Sequence, residues 1–344
     1  MRLRPAFLGA ETVLKALPWL LLVAVWLGFG SYSVRFLSVG NLAAIVSQSS
    51  WLMVVALGMN FVLLASGVDL SVGAGMYLAA IVVGTMLSTL SWWSSLLIAI
   101  LIGCLVGALN GFLIVSFSLP SFIVTLASAF IARGAGLYLS STKVVFATET
   151  VAALGRSKVL GVSVSVLFAL VAVCAASFLL KATNLGLYIR SIGADAEGAR
   201  RAGVPINLAT WTAFTVCGGF AGFGGFILLS QTSAASAAFG QNAEFLAIAA
   251  AVLGGTSLFG GRGRLSAPIL GAVLITSVQN GLVVINANPY AYPVIVGAVI
   301  FLAALIDSGR SWLSWLAKRS TKRESMPNPG GHTTASLFDD IAHH

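Results

Sequence analysis

Long apolar runs, each close to the length that crosses a bilayer, follow one another through most of this chain. A membrane-spanning helix needs about 20 predominantly apolar residues. Short stretches containing Gly, Pro, Ser or charge separate the runs and mark the helix ends. The pattern predicts an all-α, polytopic membrane protein with about ten transmembrane helices near residues 17–37, 42–66, 72–90, 94–117, 120–141, 161–181, 208–230, 243–260, 265–285 and 291–307.

These spans use nearly all of the 344 residues, and the composition agrees with them. Hydrophobic residues make up 58% of the chain and charged residues 8%, against roughly 25% charged residues in soluble domains. We therefore expect one transmembrane domain, residues 17–308, that contains a cytoplasmic loop at about 182–207. Residues 1–16 are expected to form a cytoplasmic N-terminal segment, and residues 309–344 a disordered cytoplasmic tail.

Positive charge is distributed unevenly between the two predicted faces. With a cytoplasmic N-terminus, fourteen of the 19 Lys and Arg residues lie inside, and only Arg35, Lys143, Arg156 and Lys158 lie outside. The positive-inside rule then places both termini in the cytoplasm. The net charge of +9 is explained by this topology and by contact with anionic lipid. It does not imply a nucleic-acid partner. An alternative interpretation of the first run, as a cleaved secretory signal, would put the termini on opposite faces.

The chain lacks the groups that several enzyme classes need. All three histidines, His332, His343 and His344, lie in the tail, so we expect none in the membrane for acid–base or metal chemistry. No Lys follows a Gly, so the phosphate-binding pattern Gly-x-x-x-x-Gly-Lys-[Ser/Thr] is missing. We expect no enzyme activity, no cofactor and no metal site, and any ATP hydrolysis is expected on a separate polypeptide.

Two dense glycine clusters lie in the second half of the chain, at residues 218–225 and 254–263. Glycine lets membrane helices approach each other closely, so one interpretation of both clusters is helix packing alone. The other interpretation is that residues 254–263 break their helix near the cytoplasmic surface and form a hinge for alternating access. Gly254 and Gly255 are therefore candidate gate residues.

Few polar residues interrupt the apolar runs, and each costs free energy in lipid unless it faces protein or water. Arg133 lies near the middle of the fifth span, and Glu244 opens the eighth. Two interpretations stay open for these two residues and for Asn60, Asn110 and Thr125. The side chains either bond to neighbouring helices or belong to a transport pathway.

Asp69 lies in Ser66-Gly-Val-Asp-Leu-Ser-Val-Gly73, at the predicted cytoplasmic turn between the second and third spans. An Asp just before an apolar helix is a common N-cap, stabilised by free backbone N–H groups and by the positive end of the helix dipole. The alternative is a role for Asp69 at the gate of a transport pathway.

This block is one of four by which the chain resembles the permease subunits of bacterial ATP-binding-cassette importers for monosaccharides, the ribose, xylose and arabinose group. The others are Leu119-Pro-Ser-Phe-Ile-Val-Thr-Leu126 followed by Arg133-Gly134, Ile192-Gly-Ala-Asp-Ala-Glu-Gly-Ala-Arg-Arg-Ala-Gly-Val204, and Ala247-Ile-Ala-Ala-Ala-Val-Leu-Gly-Gly-Thr-Ser-Leu-Phe-Gly-Gly-Arg-Gly263. The resemblance implies a multi-pass protein of the bacterial inner membrane. It also implies three partners: a cytoplasmic cassette ATPase, a periplasmic solute-binding protein, and a second permease subunit that is either another copy or a homologue.

The loop between the sixth and seventh spans has its own local signals. Residues 195–202 suit a short helix, because Glu197 and Arg201 stand at i and i+4 and Gly203 supplies a stop. We expect this helix to bind in a groove of the ATPase through Asp195, Glu197, Arg200, Arg201 and Gly203. The alternative is an amphipathic loop that lies on anionic lipid.

The sparse polar lining favours a passage that binds its solute weakly, with selectivity mostly in the separate binding protein. The sugar-type block at residues 66–73 favours a pentose, a hexose or a related polyol as the solute. A nucleoside, a furanosyl signal and a branched-chain amino acid stay open as alternatives. An ion-coupled secondary transporter is less favoured because Asp69, Glu244 and Asp307 all lie near predicted span ends, away from the midplane.

Overall fold

The computed structural model describes residues 5–86 and 91–288, together with the single positions 291, 294, 295, 297, 298, 301 and 305. Most of the predicted tenth helix, residues 291–307, and the whole predicted tail, residues 309–344, lie outside the described residues. The chain divides into a large unit, Lys15–Asp307, and a small unit formed by Met1–Leu14 and Ser308–His344. The contacts discussed below all belong to the large unit.

Helices form nearly all of the described structure. In chain order they are α1 Pro5–Tyr32, a 3₁₀ turn Val34–Leu37, α2 Val39–Leu64, α3 Val72–Met86, α4 Trp92–Phe117, α5 Ser121–Ser140, α6 Glu149–Arg156, α7 Val164–Lys181, α8 Asn184–Ala194, α9 Ala196–Arg201, α10 Ile206–Thr232, α11 Ala243–Leu253 and α12 Ser266–Val284. Four two-residue strands join them: β1 Val145–Phe146, β2 Lys158–Val159, β3 Val162–Ser163 and β4 Ala234–Ala235. The predicted all-α class is therefore correct for the described residues.

Six of the described helices are long and apolar enough to cross a membrane: α2, α4, α5, α7, α10 and α12. A helix satisfies its own backbone hydrogen bonds, which is why apolar runs of this length adopt it in lipid. The first helix is longer than its predicted span: α1 begins at Pro5, and its apolar part begins at Ala16, close to the predicted residue 17. The predicted end of the eighth span at residue 260 was wrong, because α11 ends at Leu253.

The early end of α11 has a local cause in its glycines. Gly254 is the last residue near helical geometry, and Gly255 then adopts φ +111°. Only glycine reaches such a conformation without steric cost. The chain continues as an irregular segment to the start of α12, with further left-handed glycines at Gly260 and Gly261. The glycine cluster at 254–263 thus breaks its helix.

The cluster at 218–225 has a different role, because it lies inside α10 and brings that helix close to three neighbours. A Cβ atom at Gly218 would overlap the backbone of Gly103 in α4, and one at Gly224 would overlap Val55 in α2. One at Gly225 would crowd Met76 in α3. α10 is accordingly the most deeply buried of the six long helices. Close packing accounts for these glycines, as small residues do between membrane helices.

The strands lie in the connections at one end of the helices. β1 pairs antiparallel with β4, so that Val145 faces Ala235. β2 and β3 form a hairpin whose tip is Leu160, with φ +51°, and Gly161, with φ +82°. Leu160 is fully exposed at that tip.

Candidate functional site

The chain between α2 and α3 is an unwound segment held inside the helix bundle. α2 ends at Leu64, Ser66 adopts a left-handed φ of +60°, and α3 begins at Val72. The start of α5 holds this segment: the Val68 N–H donates to Ser121 Oγ at 3.2 Å. Thr125 Oγ1 reaches the Val68 carbonyl oxygen at 3.4 Å, while donating at 2.9 Å to Ser121 in its own helix.

Asp69 is buried within this segment, with only 1% of its surface exposed. Asp69 Oδ1 accepts hydrogen bonds from the Ser71 N–H at 2.9 Å and from Ser71 Oγ at 2.6 Å, just before α3 begins. Ser71 Oγ in turn accepts a hydrogen bond from Asn110 Nδ2 at 2.8 Å. The thiol of Cys217 in α10 also interacts with the Asp69 carboxylate. Asp69 therefore holds the chain at the start of α3, as an N-cap does.

Asp69 lies in the expected connection between the second and third predicted spans, and it is buried among the helices there. Asn110 lies about two helical turns before the end of α4, so the bonded group sits inside the bundle. The segment fills the connection between the end of α2 at Leu64 and the start of α3 at Val72. Asp69 Oδ2 and Asn110 Oδ1 are both buried, and neither makes a conventional hydrogen bond within the described part of the chain.

Asn60 lies about one turn before the end of α2 and bonds to the chain that follows α11. Residues 254–263 of that chain are called the glycine segment below. Thr256 Oγ1 donates to Asn60 Oδ1 at 2.7 Å, and both side chains are fully buried. Gly254 and Gly255 immediately precede Thr256, and a Cβ at Gly254 would overlap the backbone of Ala267 in α12. These three candidate residues, Asn60, Gly254 and Gly255, therefore lie at one contact between α2, α11 and α12.

Arg133 in α5 forms a second polar group around the loop that follows β4. Arg133 Nη1 donates to the Phe239 carbonyl oxygen at 2.7 Å, and its guanidinium lies 4.7 Å from the ring centre of Tyr77 in α3. Glu244, in the first turn of α11, interacts electrostatically with Arg133. Its carboxylate lies so close to Gly73 in α3 that a Cβ at Gly73 would overlap it. A cation over an aromatic face is stabilised by the ring quadrupole. Arg133 thus joins α3, α5 and α11.

The expected short helix in the loop between α7 and α10 is present as α9. Asp195 caps it, because Asp195 Oδ1 accepts a hydrogen bond from the Glu197 N–H at 3.1 Å. Arg201 Nε lies 3.3 Å from Glu197 Oε1, one turn apart, and both side chains are largely exposed. Gly203, with φ +79°, ends the turn.

The opposite side of α9 is apolar. Ala199 packs with Ile192 of α8 and Ala209 of α10 in a small buried cluster. α9 therefore presents its charged side chains, including Arg200, away from the helices on which it rests. Such a helix is attached to the bundle by one side and free on the other.

The structure thus groups the candidate residues into three places. Asp69, Asn110 and Thr125 meet at the α2–α3 segment, Asn60, Gly254 and Gly255 meet at the end of α11, and Arg133 meets Glu244. Sequence reasoning missed several contacting residues, among them Ser71, Tyr77 and Thr256. Ser71 lies two residues after Asp69 in the same block, so the sequence could have indicated it as the partner of that side chain. The contacts of Tyr77 and Thr256 could not be predicted locally, because their partners are distant in sequence.

Comparison with known proteins identifies the setting of these groups. Residues 41–304 match the family model described as branched-chain amino acid transport system / permease component. The chain belongs to this permease family. The match covers every described helix from α3 to α12 and nearly all of α2, so the polar groups above are features of a membrane transport subunit. Proteins of this family are permease subunits of the inner membrane and are not catalysts themselves.

Several curated relatives of the permease match over most of their length. This chain is 32% identical to the ribose import permease protein of Escherichia coli (strain K12), across 84% of this chain and 91% of the relative. It is 32% identical to the D-allose transport system permease protein of the same strain, across 81% and 87%. It is 34% identical to the autoinducer 2 import system permease protein of Enterobacter sp. (strain 638), across 80% of each chain. No solved structure matches the chain.

Proposed function

We propose that this chain is the membrane-spanning permease subunit of a binding-protein-dependent importer that moves a monosaccharide across the inner membrane. The observation that carries the proposal is the match, over more than four-fifths of the chain, to permeases named for ribose and D-allose. ATP hydrolysis takes place on a separate cassette ATPase, and a periplasmic binding protein delivers the solute. The partner in the membrane is a second permease subunit.

The proposed topology has ten transmembrane helices with both termini in the cytoplasm. In this arrangement α9, the segment 254–265 and the end of α2 face the cytoplasm, whereas α6 and the β2–β3 hairpin face the periplasm. The uneven distribution of Lys and Arg supports it.

The polar groups at the α2–α3 segment are the proposed gate. A solute with several hydroxyl groups needs hydrogen-bond partners inside the membrane, and unwound backbone is tolerated there only where it is buried in protein or lines a cavity. Asp69 Oδ2 and Asn110 Oδ1 are two buried acceptors with bonding capacity left over. Asn60, Thr125, Arg133, Glu244, Gly254 and Gly255 complete the proposed pathway and its hinge.

The proposed contact with the ATPase is α9, through Asp195, Glu197, Arg200, Arg201 and Gly203. A short helix with an apolar underside and exposed charges suits a groove on a soluble partner. When the ATPase closes, α9 moves with it as a rigid body and displaces the helices beneath.

Copurification tests the proposal. A tagged chain, extracted in mild detergent from its native membrane, is expected to recover a cassette ATPase and a solute-binding protein. The recovered binding protein is then screened with ribose, allose, xylose, a nucleoside and leucine, and thermal stabilisation by one of them names the solute class. Stabilisation by leucine alone would overturn the monosaccharide assignment. Recovery of the chain without any ATPase, even after cross-linking at position 197, would favour an ion-coupled transporter instead.

A further inference from the structure

Three chain segments meet at the end of α2, and Ser66 lies where they join. Ser66 Oγ lies 2.9 Å from the Phe259 carbonyl oxygen and 3.3 Å from the Gly193 carbonyl oxygen, so its single O–H is shared between the two acceptors. The Gly261 N–H donates to the Leu64 carbonyl oxygen at 3.1 Å. These bonds connect the end of α2, the end of α8 and the glycine segment that follows α11.

The three segments touch closely, and the only side chain in the contacts just described is that of Ser66. A Cβ at Gly193 would overlap the Leu64 carbonyl oxygen and the Gly261 nitrogen, and one at Gly260 would overlap Ser66 Oγ. Gly260 and Gly261 also hold φ values of +90° and +69°. Packed contacts of this kind shift between discrete arrangements and do not deform smoothly. A displacement of one segment is therefore passed to the other two.

Each segment leads directly to a part of the proposed machinery. Gly193 lies two residues before Asp195, which caps α9. Ser66 opens the unwound segment that contains Asp69. The glycine segment is tied to α8 again by the hydrogen bond from Arg190 Nη1 to the Gly263 carbonyl oxygen at 3.0 Å, and to α2 by the bond between Thr256 and Asn60.

We propose that Ser66 and the three glycines it meets, Gly193, Gly260 and Gly261, form a junction that transmits movement of α9 to the α2–α3 segment. This inference rests on the proposed importer function and adds the path by which ATP hydrolysis reaches the gate. Ser66 is a positioning residue in this path, since it acts through the segments it bonds. The path runs from α9 through Gly193 and Ser66 to Asp69.

Two substitutions separate the hydroxyl of Ser66 from its backbone conformation. Ser66→Ala removes the hydroxyl and keeps a side chain at φ +60°, where non-glycine residues are strained. Ser66→Gly also removes the hydroxyl but relieves that strain. The matched control is Ser191→Ala, because Ser191 Oγ donates at 2.9 Å within its own helix, to Leu187, and takes no part in the junction.

The measurement is the amount of radiolabelled sugar transported per ATP hydrolysed, in vesicles containing the permease with its copurified ATPase and binding protein. The sugar is whichever of ribose, allose and xylose stabilises the copurified binding protein. We expect Ser66→Ala and Ser66→Gly both to retain the ATPase and to lower this ratio about fivefold, the effect of one lost hydrogen bond on a two-state equilibrium. Ser191→Ala is expected to keep the wild-type ratio.

The outcomes distinguish the junction from the importer function. ATP-dependent uptake by the wild-type vesicles establishes the function before any variant is measured, and its absence overturns both proposals. With wild-type uptake in place, an unchanged ratio in both Ser66 variants overturns the junction alone. Recovery of the ratio in Ser66→Gly but not in Ser66→Ala would assign the loss to backbone strain, and loss of the ATPase from both variants would assign Ser66 to folding. Either result also overturns the junction.

Discussion

Asp69 carries a carboxyl group inside the helix bundle, and its two oxygen atoms have different surroundings. Oδ1 accepts two hydrogen bonds from Ser71, whereas Oδ2 makes no conventional hydrogen bond within the described residues. A buried donor that loses its acceptor costs about 1–3 kcal/mol. Stability at this residue should therefore depend on the presence of an acceptor at Oδ1, and the charge should matter mainly for transport.

Two substitutions at Asp69 test this separation. Asp69→Ala removes the acceptor of Ser71, and we expect it to lower the free energy of unfolding by about 1–3 kcal/mol. Asp69→Asn keeps an oxygen at Oδ1, and we expect it to lose less than half as much. Thermal unfolding in detergent, followed by tryptophan fluorescence, measures both, with about 2–4 °C of melting temperature for each kcal/mol. Equal losses would mean that the charge stabilises the turn.

At the scale of the elements, the interface between α4 and α10 offers a matched pair of glycines. A Cβ at Gly103 in α4 would overlap the Gly218 carbonyl oxygen, whereas one at Gly134 in α5 meets nothing within 4 Å. We expect Gly103→Ala to lower the free energy of unfolding by about 1–3 kcal/mol through overpacking. Gly134→Ala should be neutral or should raise it by up to about 1 kcal/mol. The same melting assay compares them, and equal stability would contradict the backbone contact between α4 and α10.

α9 permits a charge test that separates partner binding from helix stability. The pair of Glu197 and Arg201 is exposed, so it contributes only about 0.3–0.5 kcal/mol to the helix. We expect Glu197→Arg and Arg201→Glu to leave the melting temperature nearly unchanged and to weaken ATPase binding at least about tenfold, as charge reversal does at a specific contact. Pull-down titration with the ATPase measures the binding.

The double variant Glu197→Arg with Arg201→Glu is the control for this test. It restores an opposite-charge pair at i and i+4 but exchanges the charges that α9 presents to a partner. We expect ATPase binding to stay weak in the double variant. Recovery of binding would show that the pair acts only within the helix, and unchanged binding in all three variants would favour an α9 that lies on lipid.

What the sequence could predict about these elements follows from the range of the interactions involved. α9 was predictable because its cap, its ion pair and its stop all lie within ten residues. The apolar spans were predictable because lipid leaves the backbone few alternatives to a helix. The burial of Asp69, the bond of Arg133 to Phe239 and the bond of Ser66 to Gly193 were not predictable, since each depends on helices that are distant in sequence coming together.

For the whole molecule, the question is which face of the membrane each connection occupies. α7 is the only described helix between the β2–β3 hairpin and α9 that is long and apolar enough to cross a membrane. Leu160 at the hairpin tip is fully exposed, and the Arg201 side chain in α9 is 79% exposed. Neither position is protected from a reagent by burial. A reagent that reaches only one face of the membrane should therefore show on which side each position lies.

Single cysteines at these two positions test the topology. In a background with Cys104, Cys174 and Cys217 replaced by Ala, we expect a membrane-impermeant maleimide to label Leu160→Cys in intact spheroplasts. Arg201→Cys should be labelled only after permeabilisation, since the Lys and Arg distribution places α9 in the cytoplasm. Labelling of both from outside would mean that α7 does not cross. The reverse pattern would place α9 in the periplasm, where no ATPase could reach it, and would exclude the proposed coupling together with the junction at Ser66.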